Sequence, residues 1–267
     1  MIHAVLLTRD ADADWLAYKT VVVIDVLRAT SVIAAALHGG ARAVHTFADV
    51  NAARHFPSTQ DHPDRWLRCG ERQCHRISDF DLGNSPGDYV PAAVGGMSLA
   101  MTTTNGTRAF QAASRCDRLL AGSFVNYSAT LRALTSASEI VFWCAGTNGV
   151  ETLEDILFAG AMVHGLVCQH DQSVANQTEP HHLNDGAKLV LDFWRNRLGN
   201  RAAGDVPRDE LASELADGLG GRNLIAAGMR ADLDHCAAVD RHPVCVGRRA
   251  GGPKESIVLG IEHAAGD

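Results

Sequence analysis

The run Val21-Val22-Val23-Ile24 constrains the fold more than any other segment: four consecutive β-branched residues that end on a carboxylate, Asp25. An unbroken apolar run of this kind reads as a parallel strand buried on both faces. After the polar break Asp25–Thr30, Ser31–Leu37 has helical character and stops at Gly39-Gly40, a pair suited to a helix C-terminus. Ala41–Phe47 then alternates as a second strand. The resulting unit of strand, loop, helix and strand places Asp25 and Arg28 just after a strand, where open α/β sheets bind their ligands.

The unit recurs. A strand at Ser98–Thr102 is followed by Thr103–Thr107 and a helix over Arg108–Ser114. Leu119–Ala121 leads through Gly122–Asn126 into a helix over Ser128–Leu134, and Ile140–Ala145 through Gly146–Thr152 into one over Leu153–Val167. Pro57–Arg68 and His170–His182 are polar connections without a clear period, a further helix covers Leu183–Leu198, and Asn200–Pro207 is an exposed break. The pattern predicts an α/β fold of three layers, α/β/α, around a mixed, largely parallel sheet. Its repetition hints at an internal duplication. No composition shift marks a boundary, so residues 1–267 are expected to form a single domain.

The chain carries 24 Lys+Arg against 31 Asp+Glu, a net charge of -7, which argues against a nucleic-acid partner needing a basic face. A local arginine cluster or a metal can still reverse the field inside a cleft and admit a small anionic substrate. The seven cysteines form no CxxC pair and no signal-peptide pattern precedes them, so reduced core residues in a cytoplasmic protein are expected. Among the histidines no HExxH occurs, and His181-His182 reads as a solvated loop. No apolar run reaches the roughly 20 residues of a membrane helix, so no membrane association is expected. A homodimer is the assembly most common for metabolic enzymes of this size.

Four segments carry dense polar residues between buried elements. In the first, Asp25 sits at the end of a buried strand, a costly place unless it is paired, hydrogen-bonded or metal-bound. A helix cap is its structural alternative. Arg28, three residues on, is either its ion-pair partner or an anion ligand. The second segment, Gly70-Glu71-Arg72 with Phe80–Pro86, offers Glu71 and Asp81 as hard oxygen ligands of the kind magnesium takes, beside Asn84 and Ser85 in an ordinary turn sequence. In the third, Thr102–Arg108, the residues Thr103, Thr104, Asn105, Gly106 and Thr107 combine hydroxyls with a helix N-terminus, a phosphate cradle that lacks the GxxxxGK[ST] of a P-loop. The fourth, Ala145–Gly149 with Glu154-Asp155, adds two adjacent carboxylates in a first helical turn, where they also complement the helix dipole.

At these segments the sequence resembles the 2-phosphosulfolactate phosphatase family, through Val21–Ser31, Gly70–Arg72, Asp79–Pro86, Thr102–Ala109, Gly122–Asn126 and Cys144–Ala161, with a weaker echo in Asp232–Asp240. The resemblance implies a mixed α/β fold and a Mg2+-dependent phosphatase converting 2-phospho-3-sulfolactate to 3-sulfolactate and phosphate, a step of coenzyme M synthesis. Such a polyanion would account for Arg28, Arg72 and Arg108 in an acidic protein. One departure stands out: Gln73 and Cys74 follow Gly70–Arg72 where the family pattern implies two glycines, and a turn with positive φ there would be strained.

The expected chemistry is metal-assisted hydrolysis, with Mg2+ held by carboxylates from among Asp25, Glu71, Asp81, Glu154 and Asp155. Asp25, Arg28 and Arg108 are the catalytic candidates, Asp25 also as a nucleophile. Arg72, Asn84, Ser85, Thr103–Thr107 and Asn126 are the substrate-binding candidates. A haloacid-dehalogenase-type phosphatase fits less well, because that motif wants a second Asp where Leu27 stands. A non-catalytic module binding a small phosphorylated carboxylate is the other alternative.

Overall fold

The computed structural model describes residues 1–8, 13–59, 61–62, 65–173, 182–252 and 255–262. His181 of the expected solvated loop lies outside these residues. Ten strands among the described residues form one sheet. They are β1 (Ile2–Val5), β2 (Thr20–Ile24), β3 (Ala43–Phe47), β4 (Trp66–Arg72), β5 (His75–Arg76), β6 (Ser98–Thr102), β7 (Arg118–Gly122), β8 (Ile140–Cys144), β9 (Val246–Arg248) and β10 (Ser256–Ile261). Their order is β1-β8-β2-β7-β9-β10-β3-β6-β4-β5. Two parallel blocks, β1-β8-β2-β7 and β3-β6-β4, are joined by the antiparallel pair β9 and β10, and β5 turns back on β4. The sheet is therefore mixed and largely parallel, as the repeated strand-to-helix units imply.

Val21–Ile24 are fully buried at the centre of the first block, between β7 and β8. Their side chains alternate between two cores. Val22 and Ile24 join a cluster with Phe158 of α6 (Leu153–Ser173) and Trp194 of α7 (Asp185–Leu198). Val21 and Val23 join another with Ile33 of α1 (Ala29–His38) and Phe110 of α4 (Gly106–Ala112). Helices thus cover both faces at this strand, which is why its sequence shows no polar alternation.

Helix α1 is buried along its length: Ala29 through Leu37 are inaccessible and only His38 reaches solvent. The same cluster holds Val44, Cys69, Leu99, Leu119, Trp143, Val246 and Leu259, from strands of both parallel blocks and from the pair between them. The sheet consequently curves about α1. In a flat sheet β2 and β6, five positions apart, would be separated by about 24 Å. Instead the loops after them touch: a Cβ on Gly106 would lie 2.6 Å from Asp25 Oδ2 and 2.5 Å from the Ala29 Cβ. Four alanines between Ala29 and Ala36 keep α1 thin enough to be enclosed. Its buried hydroxyls find local partners, Thr30 Oγ1 donating to the Asp25 carbonyl at 2.8 Å and Ser31 Oγ to the Val26 carbonyl at 2.8 Å.

The remaining helices are α2 (Val50–His55), α3 (Pro91–Val94), α5 (Tyr127–Leu134), α8 (Arg208–Asp217), α9 (Leu219–Ala226) and α10 (Ala231–Cys236). None among the described residues is long and apolar enough to cross a membrane. The strand β4 begins at Trp66, inside the stretch expected to be an aperiodic connection. It carries Arg68, Glu71 and Arg72 because its neighbours are β6 and only the two-residue β5, so its pattern is half-buried rather than apolar. Helix α6 continues to Ser173, past the predicted end at Val167. All seven cysteines are free, with Cys69, Cys116, Cys144 and Cys236 buried and the other three half-buried.

Helices α6 and α7 approach most tightly at Gly160, where an added Cβ would lie 2.2 Å from the Val190 carbonyl oxygen and 2.9 Å from the Trp194 Cβ. Gly160→Ala is therefore expected to destabilise the protein by about 1–3 kcal/mol through overpacking. Gly204→Ala, where a Cβ meets nothing within 4 Å, should stay within about 0.5 kcal/mol of the parent. Urea denaturation of the two variants checks this, and equal midpoints would remove the close-packing account.

Candidate active site

The loops that follow β2, β4, β6 and β8 converge on one cavity of about 670 Å³. Asp25 and Arg28 come from the loop after β2, Glu71 and Arg72 from the end of β4, and Thr103, Thr104 and Asn105 from the loop after β6. Thr147 and Asn148 follow β8, Asn84 comes from the turn before α3, and α9 closes the far wall with Gly220, Asn223 and Leu224.

Asp25 stands where the N-termini of α1 and α4 meet. Its Oδ1 accepts from the Ala29 amide at 3.2 Å, and the Gly106 amide donates to the same carboxylate. Burial nevertheless raises its pKa to about 6; the neighbouring Glu71 pushes the same way, while the Ala29 amide, Arg28 and the Gly106 amide oppose. The close approach of Gly106 leaves no room for a side chain there, so glycine at this position is a packing requirement of Asp25.

Glu71 joins two loops. Its Oε1 accepts from the Thr104 amide at 2.8 Å and its Oε2 from the Cys74 amide at 3.0 Å. Arg28 is more heavily engaged still. Nη1 donates to Asp232 Oδ2 at 2.6 Å and to Ser85 Oγ at 3.1 Å, and Nη2 to the Cys74 carbonyl at 2.7 Å. Ser85 Oγ in turn donates to Asp232 Oδ2 at 2.9 Å, so a buried ion pair and a hydroxyl form one closed network. The Leu27–Arg28 peptide is cis. Arg72 donates to Thr102 Oγ1 at 3.0 Å and to the Glu71 carbonyl at 2.6 Å.

Behind the cavity lie two more carboxylates. Asp155 is buried and accepts from the Val26 amide at 3.0 Å and the Gly146 amide at 3.0 Å, tying the loop after β2 to the loop after β8. Glu154 accepts from the Gly220 amide at 3.0 Å and anchors α9. Burial, reinforced by Asp25, pushes both pKa values up, to about 7 for Glu154 and well above the usual carboxylate range for Asp155.

Of the residues singled out from sequence, Asp25, Arg28, Glu71, Arg72, Asn84, Thr103, Thr104 and Asn105 line the cavity. Others have different surroundings. Asp81 is exposed, and its carboxylate accepts from the Arg68 amide at 2.7 Å, away from the cavity. Arg108 is exposed and outside the lining, although its charge is felt by Arg72. Asn126 is fully buried, its amide donating to the Ala121 and Val244 carbonyls and accepting from the Ser123 amide, so it has no group left to offer a substrate. Glu154 and Asp155 face backbone amides behind the site rather than the cavity.

The predicted phosphate cradle also differs in detail. The Thr104, Gly106 and Thr107 amides are committed to Glu71, Asp25 and Thr103 Oγ1. Ser85, Gly106 and Thr107 thus support the lining without belonging to it. What remains on lining residues is the Thr104 hydroxyl and the Asn84 Oδ1, buried atoms without a hydrogen-bond partner among the described residues. Sequence reasoning did not assign roles to Asp232, Thr147, Asn148 or the α9 residues. Asp232 lies in the weak echo at Asp232–Asp240, which is the one signal that could have found it.

The model of the 2-phosphosulpholactate phosphatase family matches residues 6–248. A relative from Thermotoga petrophila, described as a probable 2-phosphosulfolactate phosphatase, is 34% identical over 222 residues, covering 83% of this chain and 86% of the relative. One from a Synechococcus strain with the same description is 35% identical over 228 residues, 82% of this chain and 84% of the relative. One from Caldanaerobacter subterraneus, likewise described, is 43% identical over 149 residues, 55% of this chain and 61% of the relative. The matched span takes in β2, β4, β6 and β8 with the loops that build the cavity, and on that footing the chain belongs to the 2-phosphosulfolactate phosphatase family.

Proposed function

We propose that the protein is a Mg2+-dependent phosphatase acting on phosphorylated 2-hydroxy acids, the class that includes the 2-phospho-3-sulfolactate of its relatives' names. The observation that carries the reading is charge balance in the cavity. Asp25 and Glu71 offset Arg28 and Arg72 among the lining residues, and Arg28 is already neutralised by Asp232. A phosphorylated acid needs more positive charge than this site supplies.

The residues present fit a hard divalent cation. Asp25 and Glu71 face the same cavity, and each carboxylate oxygen retains acceptor capacity beyond one amide bond. Mg2+ is typically held by one or two carboxylates together with waters and substrate phosphate, rather than by an all-protein cage. Among the described residues, no group of three or more potential metal-binding side chains occurs, so any ion here would rest on Asp25 and Glu71 with waters and substrate. When bound, the ion would neutralise phosphate charge and polarise the phosphorus–oxygen bond.

The protein's own groups supply the rest. The Thr104 hydroxyl, which has no hydrogen-bond partner among the described residues, and the Arg72 guanidinium would hold phosphate oxygens, while the α1 and α4 N-termini keep Asp25 oriented. Two roles suit Asp25: it would be a ligand that helps hold the cation, or a nucleophile that bonds phosphorus as the bond to the substrate's 2-oxygen breaks, the alcohol leaving with a proton and water then hydrolysing the aspartyl-phosphate to free phosphate. Trapping with labelled substrate separates the two.

Phosphate release from 2-phospho-3-sulfolactate is expected with Mg2+ and not with a chelator, and Asp25→Asn should lower kcat by about 10³-fold. Tight substrate binding with no release would sink the enzymatic reading, and normal turnover by the variant would dispose of both roles for Asp25.

The carboxylates also predict a pH dependence. A carboxyl with a raised folded pKa binds its proton more tightly in the folded state. Its contribution to stability is complete below about pH 4 and is lost as pH rises through about 6 for Asp25 and about 7 for Glu154. Cation binding favours the ionised form and offsets this loss. Mg2+ should therefore raise Tm more at about pH 8 than at about pH 5. A Tm insensitive to Mg2+ at both would count against a carboxylate metal site.

A further inference from the structure

Helix α9 turns one face to the cavity. Gly220, Asn223, Leu224 and Ala227, just past the helix end, all line it, with Ala226 at the margin. They recur at the three- and four-residue spacing that puts side chains on one side of a helix. Arg222 and Ile225, on the other side, are exposed.

Of these lining residues only Asn223 has a polar side chain. It is half-buried, and its carbonyl accepts from the Ala227 amide at 3.0 Å. Its carboxamide has no hydrogen-bond partner among the described residues. A ligand that fills the cavity strips water from such a group, which is costly unless the ligand returns a hydrogen bond. The phosphate, carboxylate and sulfonate oxygens of the substrate class above are all acceptors. Asn223 can therefore meet them only through its N–H donors.

The wall that carries Asn223 is fixed from behind. Glu154 is 1% exposed and accepts from the Gly220 amide at 3.0 Å. A Cβ on Gly218 or on Gly220 would collide with its carboxylate oxygens, so both glycines are needed for the carboxyl to seat there. A Cβ on Gly220 would also lie 3.5 Å from the Leu27 Cβ, which sets the first turn of α9 against the loop that carries Asp25. Asn223 stands one turn further along.

We propose that Asn223 is a substrate-binding residue that donates a hydrogen bond to an acidic oxygen of the substrate, and that Glu154 is its positioning residue through the Gly220 amide. This rests on the phosphatase reading above and adds a residue to the same site.

The test is Mg2+-supported phosphate release by the full chain from 2-phospho-3-sulfolactate. Asn223→Ala should raise KM by about tenfold and leave kcat within about twofold of the parent. Its Tm should hold, since no internal hydrogen bond is lost and alanine suits a helix. Asn223→Asp, which puts a negative charge at the same place, should raise KM further. Isopropyl phosphate, used as substrate or competitive inhibitor, keeps only the phosphate. A matching loss of its affinity in Asn223→Ala assigns the bond to a phosphate oxygen, and an unchanged affinity assigns it to the carboxylate or sulfonate. Glu154→Leu should raise KM in the parent but add little on the Asn223→Ala background, and Glu154→Gln, which keeps the acceptor, should restore the parent KM. An unchanged KM for the phosphosulfolactate in Asn223→Ala would overturn the assignment, and additive losses would overturn the role of Glu154. No release by the parent would overturn the phosphatase reading itself.

Discussion

The enclosure of α1 is the constraint on which the rest of the structure depends. A helix buried from Ala29 to Leu37 must be met by apolar side chains on every side, and the curved sheet provides them. Curvature brings together strand ends that a flat sheet would hold far apart. The loop after β2 and the loop after β6 meet at the N-terminus of α1, with Gly106 against Asp25. The cavity exists because the core is wrapped, and the small side chains that permit the wrapping are themselves part of the motif that follows Asp25.

At that meeting point the protein supplies its own anions. Helix N-termini and strand-to-helix turns attract phosphate because their amides are unpaired. Here Asp25 occupies the ends of α1 and α4, Glu71 the Thr104 amide, and Asp155 the Val26 and Gly146 amides. These bonds satisfy buried donors and hold the loops rigid. They also change the chemistry of the site from a bare anion hole to a carboxylate cluster, in which burial favours the protonated forms of Asp25, Glu154 and Asp155. On the proposed reading, a cation would complement these carboxylates, and a phosphorylated ligand would bind through it as well as through Arg72 and Thr104.

Much of this was legible from residues whose environment is local. Val21–Ile24 announced a doubly covered strand, and the spacing of Asp25, Thr104 and Asn105 from their strands placed them at the correct end of the sheet. Gln73 and Cys74 were legible too, as side chains in a turn that takes positive φ. What was hidden depends on distant partners. Asn126 and Asp81 look like ligands in sequence, yet one is consumed by the Ala121 and Val244 carbonyls and the other by the Arg68 amide. Strand β4 is polar because its outer neighbour is a two-residue strand, a fact of topology that hydropathy alone does not carry. Arg68, Glu71 and Arg72 therefore disguised it.

Arg28 shows how far the site reaches into the C-terminal third of the chain. Its guanidinium bonds Asp232 on α10, Ser85 in the turn before α3 and the Cys74 carbonyl in the hairpin. A buried ion pair of this kind costs much to break and little to keep, because either partner alone would be an uncompensated charge. Its value is geometric: three segments remote in sequence are held to the loop that carries Asp25. Glu154 does the same for α9 through the Gly220 amide. The helices after residue 207 contribute few polar groups to the cavity, but through these two contacts they set where its wall stands and hold the hairpin opposite. The strained turn and the ion pair are thus one device, since the guanidinium that Asp232 orients is the group that fixes Cys74.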